Sequence, residues 1–181
     1  MAEVTFNGLT FEPYITREQI AEQIKRVAQE IKNDLRGEEK PIFVGVLTGS
    51  FMFASDLYRE IDIYDSEIAF IRFKSYEGMQ SSGVIKEVMG LDEDIKGRTV
   101  IIIEDIVDTG ITAARLRARL EALGPKQVKM ASLLFKPESL QEGNPPEYVC
   151  FSIPSRFILG YGLDLDGVAR NLPEIYVLKD K

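Results

Sequence analysis

Histidine is absent from the 181 residues, there is one cysteine, and tryptophan is missing as well. The first absence excludes Ser-His-Asp and Cys-His catalysis and any histidine-ligated zinc. A lone cysteine, Cys150, excludes structural disulfides and thiolate clusters. A metal must then be a hard cation on oxygen ligands, which favours Mg²⁺. Basic surplus is missing too: 22 Lys and Arg against 29 Asp and Glu leave a net charge of −7. This speaks against non-specific binding to nucleic acid or to an anionic membrane. It leaves anionic small ligands open, because backbone amides and a cation hold those locally. No apolar run approaches the ~18 residues of a membrane span. The start, Met1-Ala2-Glu3-Val4, lacks a basic region followed by an apolar run, so no signal peptide is expected and a reduced, cytoplasmic setting is.

What is present is ordinary globular material: 45% apolar and 28% charged residues, enough for a real core. Length predicts one domain over 1–181. Thr16 and Gln19 are spaced as a capping box. Ile20, Ile24, Val27, Ile31 and Leu35 then recur at helical spacing up to Gly37. Strands are predicted over 42–47, 68–73, 100–103, 128–135, 148–153 and 175–178. Helices are expected after Ser50 and Gly110, the second with Leu116, Leu120 and Leu123 on one side. Strands alternating with helices predict an α/β fold with a mostly parallel central sheet. Residues 74–97 are polar and rich in small side chains, and a connection that long is usually functional or mobile.

The informative segment is Val100-Ile101-Ile102-Ile103-Glu104-Asp105-Ile106-Val107-Asp108-Thr109-Gly110-Ile111-Thr112. Four β-branched residues make a strand buried on both faces, and it runs into two adjacent acids, a third acid, and a small-residue loop at a helix start. In open α/β sheets, ligands bind at the carboxyl ends of strands. Free amides, two hydroxyls and a helix N-terminus suit a phosphate, but the dipole contributes only about 0.3–1 kcal/mol, so direct hydrogen bonds must do most of the work.

An apolar strand, two acids, two apolar residues and Asp-Thr-Gly followed by a hydroxyl residue resemble the signature of type I phosphoribosyltransferases. Gly45-Val46-Leu47-Thr48-Gly49-Ser50 resembles that family's pyrophosphate loop, and Phe73-Lys74-Ser75-Tyr76 its mobile lid. Ala131–Lys136 and Phe157–Asp164 resemble the purine-binding parts of hypoxanthine-guanine members. The resemblance covers nearly the whole chain beyond the first helix. It implies a central sheet flanked by helices, with a small hood from the terminal segments. The implied reaction is Mg²⁺-dependent transfer of a phosphoribosyl group from 5-phosphoribosyl-1-pyrophosphate to a 6-oxopurine.

Residue by residue, the resemblance implies that Glu104 and Asp105 hold the ribose hydroxyls directly or through Mg²⁺. Asp108 would be the general base near the imidazole-ring nitrogen that attacks the sugar. Thr109, Gly110, Ile111 and Thr112 would cradle the 5′-phosphate. Lys136 would donate to the 6-oxo oxygen, Phe157 would stack on the purine, and Ile158 would pair with the base edge through its backbone. Thr48 and Gly49 would bind pyrophosphate through amides, after a strained or cis peptide at Leu47, with Arg170 as a side-chain donor. Asp164 would meet a second Mg²⁺ or its waters. Ser75 and Tyr76 would belong to a lid over 74–97. Relatives often place a basic residue where this chain has Thr48 or Ile111. A homodimer or homotetramer is implied.

Two other readings compete. Asp164-Leu165-Asp166-Gly167 imitates a phosphatase box but lacks the β-branched strand before it, and no Gly-x-x-x-x-Gly-Lys loop exists for a P-loop enzyme. A regulator that kept the fold as an effector-binding module would want a basic nucleic-acid face, which the net charge of −7 does not provide.

Overall fold

The structure, a computed structural model, describes residues 2–75 and 85–179. In chain order the elements are β1 (Val4–Phe6), β2 (Leu9–Ile15), α1 (Arg17–Asp34), β3 (Ile42–Leu47), α2 (Phe51–Ile61), β4 (Glu67–Ser75), β5 (Ile85–Met89), β6 (Thr99–Val107), α3 (Ile111–Glu121), β7 (Gln127–Phe135), a 3-10 turn (Pro137–Ser139), β8 (Tyr148–Ser152), β9 (Ile158–Leu159) and β10 (Ile175–Leu178).

The main sheet has the order β5-β4-β3-β6-β7-β8. Its β4, β3, β6, β7 and β8 run parallel, and β5 closes one edge antiparallel. The apolar run of β6 reflects burial on two faces. Ile101 and Ile103 pack with α1 and α2, while Val100 and Ile102 pack with Leu116 and Leu120 of α3. Each fully buried aliphatic of this kind contributes roughly 1.5–3 kcal/mol. The predicted capping box is present: Gln19 N donates to Thr16 Oγ1 at 3.2 Å and Thr16 N donates to Gln19 Oε1 at 2.9 Å.

A second, four-stranded sheet, β1-β2-β10-β9, joins the two terminal segments and is the expected hood. Of its strands the sequence predicts only β10: β1 and β9 are too short to show a period, and β2, Leu9–Ile15, is longer but has mixed burial with no clean alternation. Three further expectations are corrected. The first helix stops at Asp34, capped at Leu35, rather than running to Gly37. Leu123 is 52% exposed and does not share the buried side of α3, since it lies beyond the helix end in the turn toward Gly124. Glu104 and Asp105 belong to β6 itself, not to the loop after it, because pairing with β7 continues through Val107.

Candidate active site

Parallel strands end together, so the loops after β3, β6 and β7 meet at one edge of the sheet. The register pairs Val107 with Phe135. The next residue on each strand is therefore Asp108 and Lys136, and Lys136 N donates to Val107 O at 3.0 Å. Their side chains form an ion pair, Lys136 Nζ to Asp108 Oδ2 at 2.7 Å. Lys136 is buried while the Asp108 side chain is 44% exposed, so the aspartate faces the opening and the lysine supports it from within.

Beyond Asp108 the chain turns at Gly110, which has φ 79°. A methyl there would run into the carbonyl of Glu142, so the turn admits only glycine without rearrangement. The loop is held from behind, where Gln141 N and Glu142 N donate to Thr109 O at 2.9 and 3.2 Å. Nothing in the sequence of this generic polar loop marks these two residues. Among the described residues, the amides of Thr109, Gly110, Ile111, Thr112 and Ala113 donate to no other backbone group. They surround a cavity of about 140 Å³ lined by Glu104, Asp108, Thr109, Gly110 and Thr112. Ile111 is half-buried and does not line it. Free amides at the start of α3 around a small cavity fit a phosphate.

Alternation along β6 separates its two acids. Glu104 faces that cavity on the α3 side. Asp105 faces the loop before α2, so closely that a methyl on Gly49 would collide with its carboxylate. Burial, reinforced by the charge of Asp105, pushes the Glu104 carboxyl well above the usual range. Its Oε2 is buried without a hydrogen-bond partner among the described residues. Asp105 is pushed up to about 6, chiefly by burial and despite a 3.0 Å hydrogen bond from Ile106 N. Two carboxylates held at this cost suit ligands that favour their charged forms, such as ribose hydroxyls and a cation.

The Asp105 shift has a testable sign. Between pH 3.8 and about 6 the folded chain binds more protons than the unfolded chain, so stability falls as pH rises through that window. Above it, the loss amounts to about 3 kcal/mol at 1.36 kcal/mol per unit. Asp105→Asn, which retains an oxygen for Ile106 N, is expected to raise the Tm of the ligand-free protein by roughly 6–12 °C at pH 8 and not at pH 4. Calorimetric melts at both pH values check this; an equal change at the two would place the effect outside titration.

On the other side, Leu47-Thr48 is a cis peptide bond, as the resemblance implied. Thr48 is exposed, and among the described residues neither Thr48 N nor Gly49 N donates to another backbone group. Facing this loop is the turn after β9. Arg170 Nη1 donates to Gly162 O at 2.6 Å, and Arg170 Nη2 lies 2.7 Å from Asp164 Oδ1. The other oxygen of Asp164, Oδ2, accepts from Gly167 N at 2.7 Å, so both its oxygens already serve the turn. Thr48, Gly167, Arg170 and Asn171 line a separate opening of about 470 Å³.

The base side is apolar. Phe157 is 46% exposed and leans on buried Phe11, ring centroids 6.0 Å apart at 49°. Ile158 is buried in β9 beside Val177. Ser75 ends β4, whereas Tyr76 and the rest of 76–84, nine residues of the expected lid over 74–97, lie outside the described residues. Cys150 is buried, as expected, and burial pushes its thiol up to about 12. Fifteen of the sixteen candidate residues thus fall in the described chain, and the strand ends gather them around one edge of the main sheet and the adjoining hood. No helix among the described residues is long and apolar enough to cross a membrane.

A family model for the phosphoribosyl transferase domain matches residues 14–166. The hypoxanthine-guanine phosphoribosyltransferase of Streptococcus pneumoniae (strain R6) is 40% identical over 168 residues, 92% of each chain. A solved hypoxanthine-guanine phosphoribosyltransferase from Bacillus anthracis is 40% identical, with a TM-score of 0.86 over 93% of this chain and 97% of that one. A solved Trypanosoma cruzi hypoxanthine phosphoribosyl transferase, described for the role of its C-terminal region in oligomeric state and activity, is 33% identical, with a TM-score of 0.88 over 97% and 95%. The chain is a member of the phosphoribosyltransferase family and is similar along nearly its whole length to the hypoxanthine-guanine members.

Proposed function

We propose that this chain transfers the phosphoribosyl group of 5-phosphoribosyl-1-pyrophosphate to hypoxanthine, and to guanine, releasing the nucleoside monophosphate and pyrophosphate. The observation that carries the reading is the Asp108–Lys136 pair at 2.7 Å beside a phosphate-sized cavity of free amides. On a 6-oxopurine the oxygen O6 and the imidazole nitrogen N7 share one edge. Two groups this close address both atoms at once: Lys136 donates to O6, and Asp108 takes the proton that N7 gives up. This moves Asp108 from the attacking nitrogen, where the resemblance alone put it, to N7. The attack itself comes from N9 on the opposite side of the ring.

As N9 forms its bond to C1′ and the bond to pyrophosphate breaks, positive charge grows on the sugar. The carboxylates of Glu104 and Asp105 stabilise that charge and accept from the ribose hydroxyls. Thr109, Gly110, Ile111 and Thr112 hold the 5′-phosphate, Ile111 through its amide alone. Thr48, Gly49 and Arg170 hold the pyrophosphate, and Phe157 stacks on the base above Ile158. Ser75 and Tyr76 contribute to a lid that excludes water from the reactive sugar.

Mg²⁺ belongs to the proposal, and its donors fit. The orphaned Glu104 oxygen and the Asp105 carboxylate are hard ligands that gain from a cation. Among the described residues no three His, Cys, Asp or Glu side chains converge on a metal position. This suits an ion that completes its shell with water and substrate phosphates. When bound, Mg²⁺ neutralises the pyrophosphate. Asp164, both oxygens engaged, would meet a second ion only by sharing one of them. A homodimer or homotetramer is part of the same reading and follows from the family resemblance alone. No observation favours a regulator.

A panel of hypoxanthine, guanine, xanthine and adenine, each with phosphoribosyl pyrophosphate, tests the function: nucleotide should form from the oxopurines and not from adenine. Lys136→Ala should cost oxopurines about 10–150-fold in kcat/KM, the worth of one hydrogen bond to a charged group. The KM for phosphoribosyl pyrophosphate should hold steady; a matching rise there would make the lysine a structural group.

A further inference from the structure

We propose that Tyr161 is a positioning residue for pyrophosphate: by hydrogen-bonding Asp56 of α2, it pins the turn that carries Gly162 and Arg170 against the Thr48-Gly49 loop. The inference rests on the assignment of pyrophosphate to that loop, and it gives a role to two residues that touch no substrate.

The Tyr161 hydroxyl donates to Asp56 Oδ2 at 2.6 Å, across 105 positions of sequence. The ring is buried, yet its backbone has φ 48°, a left-handed conformation rare for a bulky residue. Something must hold it there. Two glycines flank it, Gly160 with φ 96° and Gly162 with φ 101°. A methyl on Gly160 would collide with the carbonyl of Glu174, and one on Gly162 with the carbonyl of Gly49. The turn is therefore wedged between β10's approach and the pyrophosphate loop. Tyr161 N donates to Leu172 O at 2.8 Å and Gly162 N to Arg170 O at 2.9 Å. The carbonyl of Gly162 accepts from Arg170 Nη1 at 2.6 Å. Tyr161 thus fixes the peptide that aims the arginine, and it does so from α2, the helix that leads out of the Thr48-Gly49-Ser50 loop. One wall of the pyrophosphate opening leads directly into α2, and the Tyr161 hydroxyl ties the other wall to the same helix.

The test uses a control that the fold supplies. Tyr148 also donates to an aspartate, Asp34 Oδ2 at 2.7 Å, but at the start of β8, the opposite end of that strand from the site. Tyr161→Phe and Asp56→Ala should each raise the KM for phosphoribosyl pyrophosphate about ten-fold, as the loss of a charged hydrogen bond can. The KM for hypoxanthine should not move. Asp56→Asn keeps an acceptor oxygen and should stay near wild type. Tyr148→Phe should lower Tm and leave both KM values alone. An unchanged KM in Tyr161→Phe or Asp56→Ala overturns the proposal, as does an equal rise in Tyr148→Phe. Titration calorimetry of Mg²⁺ and pyrophosphate separates the two levels. Pyrophosphate binding that weakens in Tyr161→Phe supports the positioning role even if no transfer to a purine occurs. Undiminished binding in that variant contradicts it even if transfer does occur.

Discussion

Asp108→Asn is expected to lower kcat by about 10²–10⁴-fold, the usual worth of a positioned general base, while the fold and phosphoribosyl pyrophosphate binding survive. The amide is isosteric and keeps an oxygen for Lys136 Nζ, now 2.7 Å from Asp108 Oδ2, so the buried lysine is not left without a partner. What disappears is the ability to accept the N7 proton. With no histidine in the chain, no substitute base of ordinary pKa near neutrality exists. Steady-state kinetics beside a thermal melt check the point. Turnover close to wild type in a well-folded variant would remove Asp108 from proton transfer.

The second large effect is that of the metal. Removing Mg²⁺ with EDTA should abolish transfer, and restoring it should recover activity. The chain offers a −7 surface and two acids on β6 to a substrate that is itself a polyanion. Among the described residues that line the opening at the Thr48-Gly49 loop, Arg170 is the cation, and that guanidinium is already shared with Asp164. Without a divalent ion, bringing pyrophosphate next to Asp105 juxtaposes like charges in a poorly solvated place, where Coulomb energies at ~4 Å reach about 4 kcal/mol. Recovery should weaken below about pH 6, as Asp105 takes up a proton. Full activity in chelator would break this part of the account.

What could be read from the sequence was local. The Thr16–Gln19 box, the doubly buried strand at 100–103 and the glycine turn at 110 each depend on neighbours within a few residues, and each is present. What could not be read was register. Asp108 meets Lys136 only because Val107 pairs with Phe135, and no spacing within either segment specifies that. The close approach of Gly49 to Asp105 and Gly162 depends on three segments far apart in sequence, as does the bond between Tyr161 and Asp56. The hood strands β1 and β9 acquire a buried side only when the two termini come together, where Phe11, Leu159 and Tyr176 form a small core of their own.

The central claim is that the bend from β6 into α3 grips a sugar phosphate. The most direct measurement is a crystal structure with ribose 5-phosphate. Phosphate density in the cavity lined by Glu104, Asp108, Thr109, Gly110 and Thr112, accepting from the amides of residues 109–113, is the predicted result. An empty cavity at saturating ligand, or a phosphate bound elsewhere on the chain, would contradict it.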